Sequence, residues 1–299
     1  MTDHSQLVAP NRPRVSSTVS NLPDISGLPV TTIRPTGGWI SLGLRDVWRY
    51  RELLGFLTWR DVKVRYKQTV IGILWVVLQP LLTMLLFTFV FSRLAKLPSQ
   101  GIPYPLFVYS GLLPWQLFTS GLSGASTSIV GSAGVISKIY FPRLIIPLSS
   151  VIAGVVDFLV SFTILVGFLF WYHTSLGWTA LTLPLFLLFA MVTAFGVGLW
   201  LSMLNVKYRD VQYTIPFLMQ IWLFATPVAY ASNLIPPKYR LLFALNPMTS
   251  VVDGFRWALL GTKPQFGGWT AVSVAMVIVI LLGGLVFFRR TERTIVDVI

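Results

Sequence analysis

Residues 45–75 read RDVWRYRELLGFLTWRDVKVRYKQTVIGILW, and this stretch decides the fold. Its first two thirds mix aromatic and aliphatic side chains with Arg and Lys, and its last third begins an apolar segment long enough to cross a bilayer. A basic amphipathic helix lies at a membrane surface with its apolar face in the headgroup boundary. We therefore predict an amphipathic interfacial helix over residues 41–69 that leads directly into a first membrane span.

The composition is typical of a membrane protein. Of the 299 residues, 55% are hydrophobic and only 11% are charged, whereas soluble proteins carry about 25% charged residues. The absence of Cys excludes disulfides, thiolate metal sites and Cys nucleophiles. No basic soluble domain carries the net charge of +13, so we expect attraction to membrane lipids and no nucleic-acid partner.

Six apolar segments are each near the roughly 20 residues that a helical span needs. They lie at about 70–92, 106–130, 144–171, 180–204, 212–232 and 269–288. The predicted fold class is therefore all-α, a polytopic membrane protein with six transmembrane helices in a domain over residues 70–290. Residues 1–40 show no sustained period and no apolar signal-peptide segment, so we expect a flexible N-terminal tail.

Basic residues predict the orientation of these spans. With the N-terminus inside, the cytoplasmic parts of the chain hold 17 of its 23 Lys and Arg residues. Cytoplasmic loops carry such an excess in membrane proteins. We therefore expect cytoplasmic N- and C-termini, with residues 291–299 as a cytoplasmic tail and the interfacial helix on the cytoplasmic face.

The connection between the fifth and sixth spans is apolar in two pieces, at about 237–245 and 248–260, each too short to span. Asn246 between them is a good helix N-cap, Pro247 suits the first helical position, and Gly261 suits a C-terminal stop. The pattern predicts two short re-entrant helices within residues 236–261. Because re-entrant backbone must be buried in protein or line a cavity, we expect them at a pore mouth.

Motifs for chemistry are absent. No GxxxxGK[ST] loop occurs, so the chain is not by itself an ATPase of that class, and we predict no catalytic, cofactor-binding or metal residues. Asp157 alone among the acids lies deep inside a predicted span. Such an acid is a functional hypothesis by default, although a single one also suits a hydrogen bond to a neighbouring helix.

Aromatic residues make up 14% of the chain. Those along the first and fifth spans either pack or face lipid, or they line a channel in which sugar rings stack. Periodicity does not separate these interpretations. The candidate lining residues are Trp75, Phe87, Phe91, Phe217, Trp222, Phe224 and Tyr230.

Four stretches resemble a known family. They are RDVKVRYKQTVIGILWVVLQPLL at 61–83, YPLFVYSGLLPWQLF at 104–118 with KIYFPRLIIPLSS at 138–150, NVKYRDVQ at 205–212, and LNPMTSVVDGFRWALLG at 245–261. The chain over about residues 42–290 resembles the membrane permease subunit of ABC exporters for cell-surface polysaccharides such as O-antigen, capsule and teichoic acid, in the type-2 ABC permease superfamily. The N-terminal tail of about 40 residues is longer than this family leads us to expect.

This resemblance implies a bacterial inner-membrane protein that pairs with a second copy to form a channel, lined by the first and fifth spans and capped outside by the re-entrant helices. It implies two cytoplasmic ABC ATPase subunits, which carry the ATP and Mg, and a lipid-linked glycan as substrate. In the family, the segments matching 45–67 and about 131–143 meet the ATPase. The residues implied in ATPase docking are Arg45, Arg49, Arg60, Lys63, Lys138 and Arg143.

Several alternatives stay open. The cluster Arg60, Lys63, Arg65 and Lys67 suits the pyrophosphate of a lipid-linked donor as the substrate enters, but it equally suits ordinary positive-inside charge. A permease of the same architecture for drugs or small lipids is a second possibility. A polytopic membrane transferase is a third, although it would need paired acids or a His near one membrane face.

Overall fold

The computed structural model describes residues 44–67, 72–263 and 267–292, and this part of the chain is helical with no strand. The predicted tail over residues 1–40 and most of the predicted C-terminal tail lie outside the described residues. The α-helices are α1 (Leu44–Arg49), α2 (Arg51–Lys67), α3 (Ile73–Phe87), α4 (Tyr104–Gly131), α5 (Ala133–Ile136), α6 (Ile145–Trp171), α7 (Leu183–Lys207), α8 (Val211–Phe224), α9 (Arg240–Ala244), α10 (Pro247–Leu260) and α11 (Gly268–Glu292).

Within the described residues, four helical segments are long and apolar enough to cross a membrane: Leu74–Leu94, Ile145–Trp171, Trp178–Lys207 and Gly268–Glu292. They coincide with the first, third, fourth and sixth predicted spans. The first of them continues α3 through a π-helix, Thr88–Leu94. The two other predicted spans correspond to α4 and to the shorter apolar helix α8, and the assignment of six spans stays a prediction.

Helix α4 is the centre of the bundle. Every residue from 106 to 115 is buried, and the helix packs against α3, α6, α7, α8 and α10. Small residues allow the closest approaches, because a Cβ atom added to Gly198 of α7 would lie 2.6 Å from the Cβ of Ala125 in α4. Close packing of this kind is how membrane helices associate when lipid is as apolar as their side chains.

Helix α8 ends at Phe224, well before the predicted end of the fifth span at residue 232. The buried guanidinium of Arg256 explains this difference. It donates hydrogen bonds to the carbonyls of Pro227 (2.6 Å) and Tyr230 (3.4 Å), and also to that of Val228. These carbonyls therefore find a side-chain partner outside the helix, and the chain turns back toward α9 and α10.

The caps predicted for the connection before the sixth span are confirmed. The side chain of Asn246 accepts a hydrogen bond from the Met248 amide at 3.1 Å, Pro247 opens α10, and Gly261 ends it in the left-handed conformation with φ of 63°. The two predicted short helices are thus present as α9 and α10. Their depth in a membrane stays a prediction.

A hydrophobic cluster separate from the main core lies at one end of the bundle. It joins Leu57 of α2, Ile129 of α4, Phe141 and Leu144 before α6, and Phe288 near the end of α11. The segment after α4 and the last turns of α11 therefore meet α2 at the same end. We call this end of the molecule the α2 end.

Candidate functional site

The residues predicted to form an interfacial helix fold as α1 and α2, which are interrupted by a turn at Tyr50; their position at a membrane surface stays a prediction. Leu57 and Val62 of α2 are buried against the bundle, whereas large aromatic side chains on its other side are exposed. We define the α2-end patch by its exposed rings and aliphatic side chain, which come from α1, α2 and the segment before α6. They are Trp48 (72% exposed), Phe56, Trp59, Ile139 and Tyr140.

Three of the residues expected to dock an ATPase are exposed at this end: Arg49, Lys63 and Lys138. The ammonium group of Lys63 lies 5.9 Å from the ring centre of Trp59, within range of a cation–π interaction. An exposed apolar patch rimmed by charge is typical of a surface that binds another protein or a membrane. Lys67, predicted near the entering substrate, is exposed as well.

Other basic residues of the prediction are already paired within the chain. Arg60 forms an ion pair with Asp61 at 2.8 Å. Arg143 donates to the backbone carbonyl of Glu292 and lies 4.0 Å from its carboxylate, which ties the segment before α6 to the end of α11. The side chain of Arg45 lies outside the described residues.

Polar contacts fasten α2 to α6 along the first half of α6. The carboxylate of Asp61 accepts hydrogen bonds from Ser149 at 3.2 Å and from Ser150 at 3.3 Å. Four residues further along α2, Arg65 forms an ion pair with Asp157. Helix α2 therefore runs in the same direction as α6, and its last turn reaches the middle of that helix.

Asp157 has partners on two neighbouring helices. Arg65 and the hydroxyl of Tyr66 both donate to its carboxylate from α2, and Ser120 donates from α4 at 3.3 Å. Arg65 also donates to Ser120 at 3.2 Å. Burial is the main reason why the pKa of Tyr66 is raised, and the adjacent Asp157 raises it further. Tyr66 therefore stays a neutral hydrogen-bond donor at physiological pH.

A cavity of about 700 Å³ adjoins this cluster and lies between α2, α3, α4 and α6. Its apolar side includes Val76, Leu113 and Phe158. The exposed side chain of Trp75 borders it, so the cavity is open to the outside of the chain. The polar side chains around it include Arg65, Tyr66, Gln79, Gln116, Ser120 and Asp157.

Sequence reasoning named Arg65, Trp75 and Asp157 in three separate roles, and it missed that they border one cavity. It also missed Gln79 and Gln116. A usable signal was present, since the polar residues at 116, 119, 120 and 123 recur at the spacing of one helix face.

The candidate channel-lining aromatics divide into exposed and packed residues. Trp75, Phe217 and Phe224 are exposed on α3 and α8. Phe87 is 7% exposed and packs edge-on against Phe91. The remaining two are anchored by hydrogen bonds: the Trp222 indole donates to Asn246 at 2.9 Å, and the Tyr230 hydroxyl donates to the Phe224 carbonyl at 3.1 Å. A lining role stays a prediction, and it is best placed on the three exposed rings.

A second group of polar contacts, centred on Arg256, holds α10 against α4 and the turn after α8. Arg256 is 2% exposed. Its Nε donates to the Phe107 carbonyl at 3.1 Å, and its guanidinium carbon lies 3.7 Å from the centre of the Phe107 ring. Desolvation lowers the pKa of Arg256 to about 10. Burial also raises the pKa of Asp253, one turn earlier, to about 6, although Ser232 donates to it at 2.6 Å.

Comparison with known proteins gives a consistent picture. The family model described as "ABC-2 type transporter" matches residues 52–260. An O-antigen export system permease protein of Klebsiella pneumoniae is 31% identical over 83% of this chain and 95% of its own length. A protein of the same name from Myxococcus xanthus is 28% identical over 84% and 96%. The polysialic acid transport protein KpsM of Escherichia coli is 24% identical over 78% and 91%.

Proposed function

The chain belongs to the ABC-2 type transporter family, and from this membership we propose that it is the membrane permease of an exporter for lipid-linked, O-antigen-like polysaccharide. Relatives named for O-antigen export and polysialic acid transport align over most of their own length, which supports this class of substrate. Permeases of this kind work with ATPase subunits. The sequence contains no GxxxxGK[ST] loop, so ATP and Mg are assigned to a separate ATPase and none to this chain.

In the proposed topology, the six spans are α3 with its π-helical extension, α4, α6, α7, α8 and α11. At 28 residues, α4 is about 42 Å long, more than the hydrocarbon core of roughly 30 Å requires. Helix α8 alone is too short to cross the hydrocarbon core. We propose that the turn held by Arg256, together with α9 and α10 as re-entrant helices, fills the outer part of the membrane beyond α8. We propose that both termini lie in the cytoplasm of a bacterial cell and that the α2 end faces the same side.

One observation carries the proposal of an ATPase-driven permease. The two segments expected to meet an ATPase, residues 45–67 and 131–143, come together at the α2 end through Leu57 and Phe141. Exposed Trp48, Trp59 and Tyr140 lie on these same segments. Interfaces are enriched in large aromatic residues and in Arg, so this end suits a protein partner. The contacts from α2 to α6 give the partner a direct connection to the membrane helices.

A second copy of the chain completes the proposed channel. Helix α8 buries only Ile215 and Met219 within its own chain, and its exposed face carries Phe217 and Phe224. Trp75 and other large side chains are exposed on α3. Two such faces brought together would enclose a path with aromatic walls, on which sugar rings can slide without tight binding.

The proposed function is tested by deleting the gene in its own bacterium and restoring it from a plasmid. An exporter subunit predicts loss of surface polysaccharide and accumulation of lipid-linked glycan at the inner membrane, both reversed by the plasmid. A transferase would instead leave the lipid-linked glycan unmade. A permease for drugs or small lipids would leave surface polysaccharide unchanged. Either of these two results would overturn the proposal.

A further inference from the structure

The cavity between α2, α3, α4 and α6 is separate from both the α2-end patch and the exposed aromatic face of α8. One face of each helix contributes to it, as Val76 and Gln79 on α3 and Gln116 and Ser120 on α4 show by their helical spacing. Its volume of about 700 Å³ lies within the ~300–1,000 Å³ of small-molecule sites. An ionisable residue inside a membrane bundle is a functional-site hypothesis by default, and Asp157 borders this cavity.

The cavity offers hydrogen-bonding groups that the described part of the chain leaves unused. Within the described residues, the side-chain amides of Gln79 and Gln116 have no hydrogen-bond partner, and the Nε and Nη2 groups of Arg65 have none either. An amide both donates and accepts. These groups therefore suit a ligand with hydroxyl groups, because a hydroxyl also donates and accepts hydrogen bonds.

The charge of the cavity argues against an anion. Arg65 is its one cation within the described residues, and that cation is already paired with Asp157. A phosphate that accepted from the remaining N–H groups of Arg65 would lie close to the carboxylate of Asp157, which repels it. A neutral ligand leaves the pair intact and can still accept from the free N–H groups of Arg65.

The aromatic ring at the opening of the cavity also suits a sugar. Trp75 is 54% exposed and borders the cavity. The face of an aromatic ring is electron-rich, so it attracts the polarised C–H face of a pyranose. Val76, Leu113 and Phe158 on the apolar side suit the lipid part of the same molecule.

We propose that this cavity binds one neutral sugar residue of an amphiphilic glycolipid, with Gln79 and Gln116 bonding its hydroxyls and Trp75 stacking on its ring. The proposal rests on the proposed function, since it assigns a subsite to the exported glycolipid. Arg65 contributes its free N–H groups while its ion pair holds the last turn of α2 in place. Occupancy of the site would therefore affect α2, which carries Phe56 and Trp59 of the α2-end patch.

The test uses the full chain in phospholipid nanodiscs and hexyl β-glucoside as the probe, followed by saturation-transfer NMR with empty nanodiscs subtracted. We expect saturation of the sugar-ring protons. Hexyl phosphate and hexanol, which share the alkyl chain, should displace the glucoside poorly. Gln79→Leu and Gln116→Leu should each weaken the affinity of the protein for the glucoside by about 2- to 12-fold, which corresponds to the loss of one hydrogen bond.

Gln212→Leu is the matched control, because Gln212 is an exposed glutamine at the start of α8 that does not line the cavity and lies off the helix face of Phe217 and Phe224; the affinity of this variant for the glucoside should equal that of the wild type. Trp75→Leu changes an exposed side chain and provides a variant that folds if Gln116→Leu does not. Stronger displacement by hexyl phosphate would overturn the proposal in favour of an anion site. No saturation above empty nanodiscs, or equal affinities in all variants, would also overturn it.

The proposed function fails by a different measurement. If deletion of the gene leaves surface polysaccharide unchanged, the exporter proposal falls whatever the NMR result. If export depends on the gene but the cavity binds no glucoside, the exporter proposal survives and only this subsite is lost.

Discussion

Arg65, in the last turn of α2, forms an ion pair with Asp157 at the middle of α6. The two residues are 92 positions apart, so the contact joins the segment before the first predicted span to the third. Their side chains keep 33% and 17% of their exposure, which places the pair between a solvent-screened and a fully buried one. Together with the contacts of Asp61, it makes α2 part of the helical bundle.

Removing one partner should destabilise the protein. Arg65→Ala or Asp157→Ala should lower the free energy of unfolding by about 1–3 kcal/mol, between the values for exposed and buried pairs. The double variant should cost less than the sum of the two, because the second change removes a charge that the first left unpaired. Unfolding midpoints of the detergent-solubilised protein measure this.

Arg60→Ala is the matched control for that cycle. Arg60 pairs with its sequence neighbour Asp61 at nearly the same exposure, 33% and 19%, so Arg60→Ala removes a comparable ion pair without removing a side-chain contact between helices. Strict additivity of Arg65→Ala and Asp157→Ala would contradict the coupling between α2 and α6.

Gly198 is required by the close approach of α7 to α4. Gly198→Ala would place its Cβ 2.6 Å from that of Ala125, and overpacking of this kind costs about 1–3 kcal/mol. Gly55→Ala on α2 is the control, since nothing lies within 4 Å of the added Cβ. There the gain in helix propensity should stabilise the protein by up to about 1 kcal/mol. Unfolding midpoints that move in the same direction would contradict this assignment.

Asn246 connects α10 to α8. It caps α10, accepts from the Trp222 indole, and donates to Thr226 at 2.9 Å and to the Ala225 carbonyl at 3.2 Å. Asn246→Ala should cost at least the ~0.5–2 kcal/mol of an N-cap. Asn233→Ala, at an exposed asparagine in the same connection, should change the unfolding midpoint little. An equal effect of the two changes would show that the cap contributes nothing.

Local features of the fold were predictable because they depend on neighbouring residues. The boundaries of α10 follow from Asn246, Pro247 and Gly261, whose backbone preferences act within one turn. The long apolar helices follow from composition alone, because a bilayer requires length and hydrophobicity.

Features that depend on distant contacts were not predictable. The early end of α8 is caused by Arg256, which lies about 30 residues further along the chain. The shared cavity of Arg65, Gln116 and Asp157 likewise requires three helices to pack in a particular order. Periodicity shows which face of a helix is polar, but it does not show which neighbour that face meets.

Stability should depend on pH through Asp253. Burial raises its pKa from 3.8 to about 6, so the folded protein binds more protons than the unfolded chain between these values. Stability contributed by this group is therefore full below pH 3.8 and falls as the pH rises to about 6. Asp253→Asn should remove this decrease while leaving other titrations in place. Equal pH slopes of the unfolding midpoint in both proteins would contradict the shift.

Trp59 should be central to ATPase docking if the proposed function holds. Trp59→Ala should weaken association with the cognate ATPase about tenfold or more, because an exposed Trp at an interface is a typical hot spot. The amount of ATPase that co-purifies with the permease and the amount of surface polysaccharide should both decrease. Trp178→Ala is the control, since Trp178 is 90% exposed and follows the far end of α6, away from the α2 end. Normal association of Trp59→Ala, or an equal loss in Trp178→Ala, would place the ATPase on a different surface.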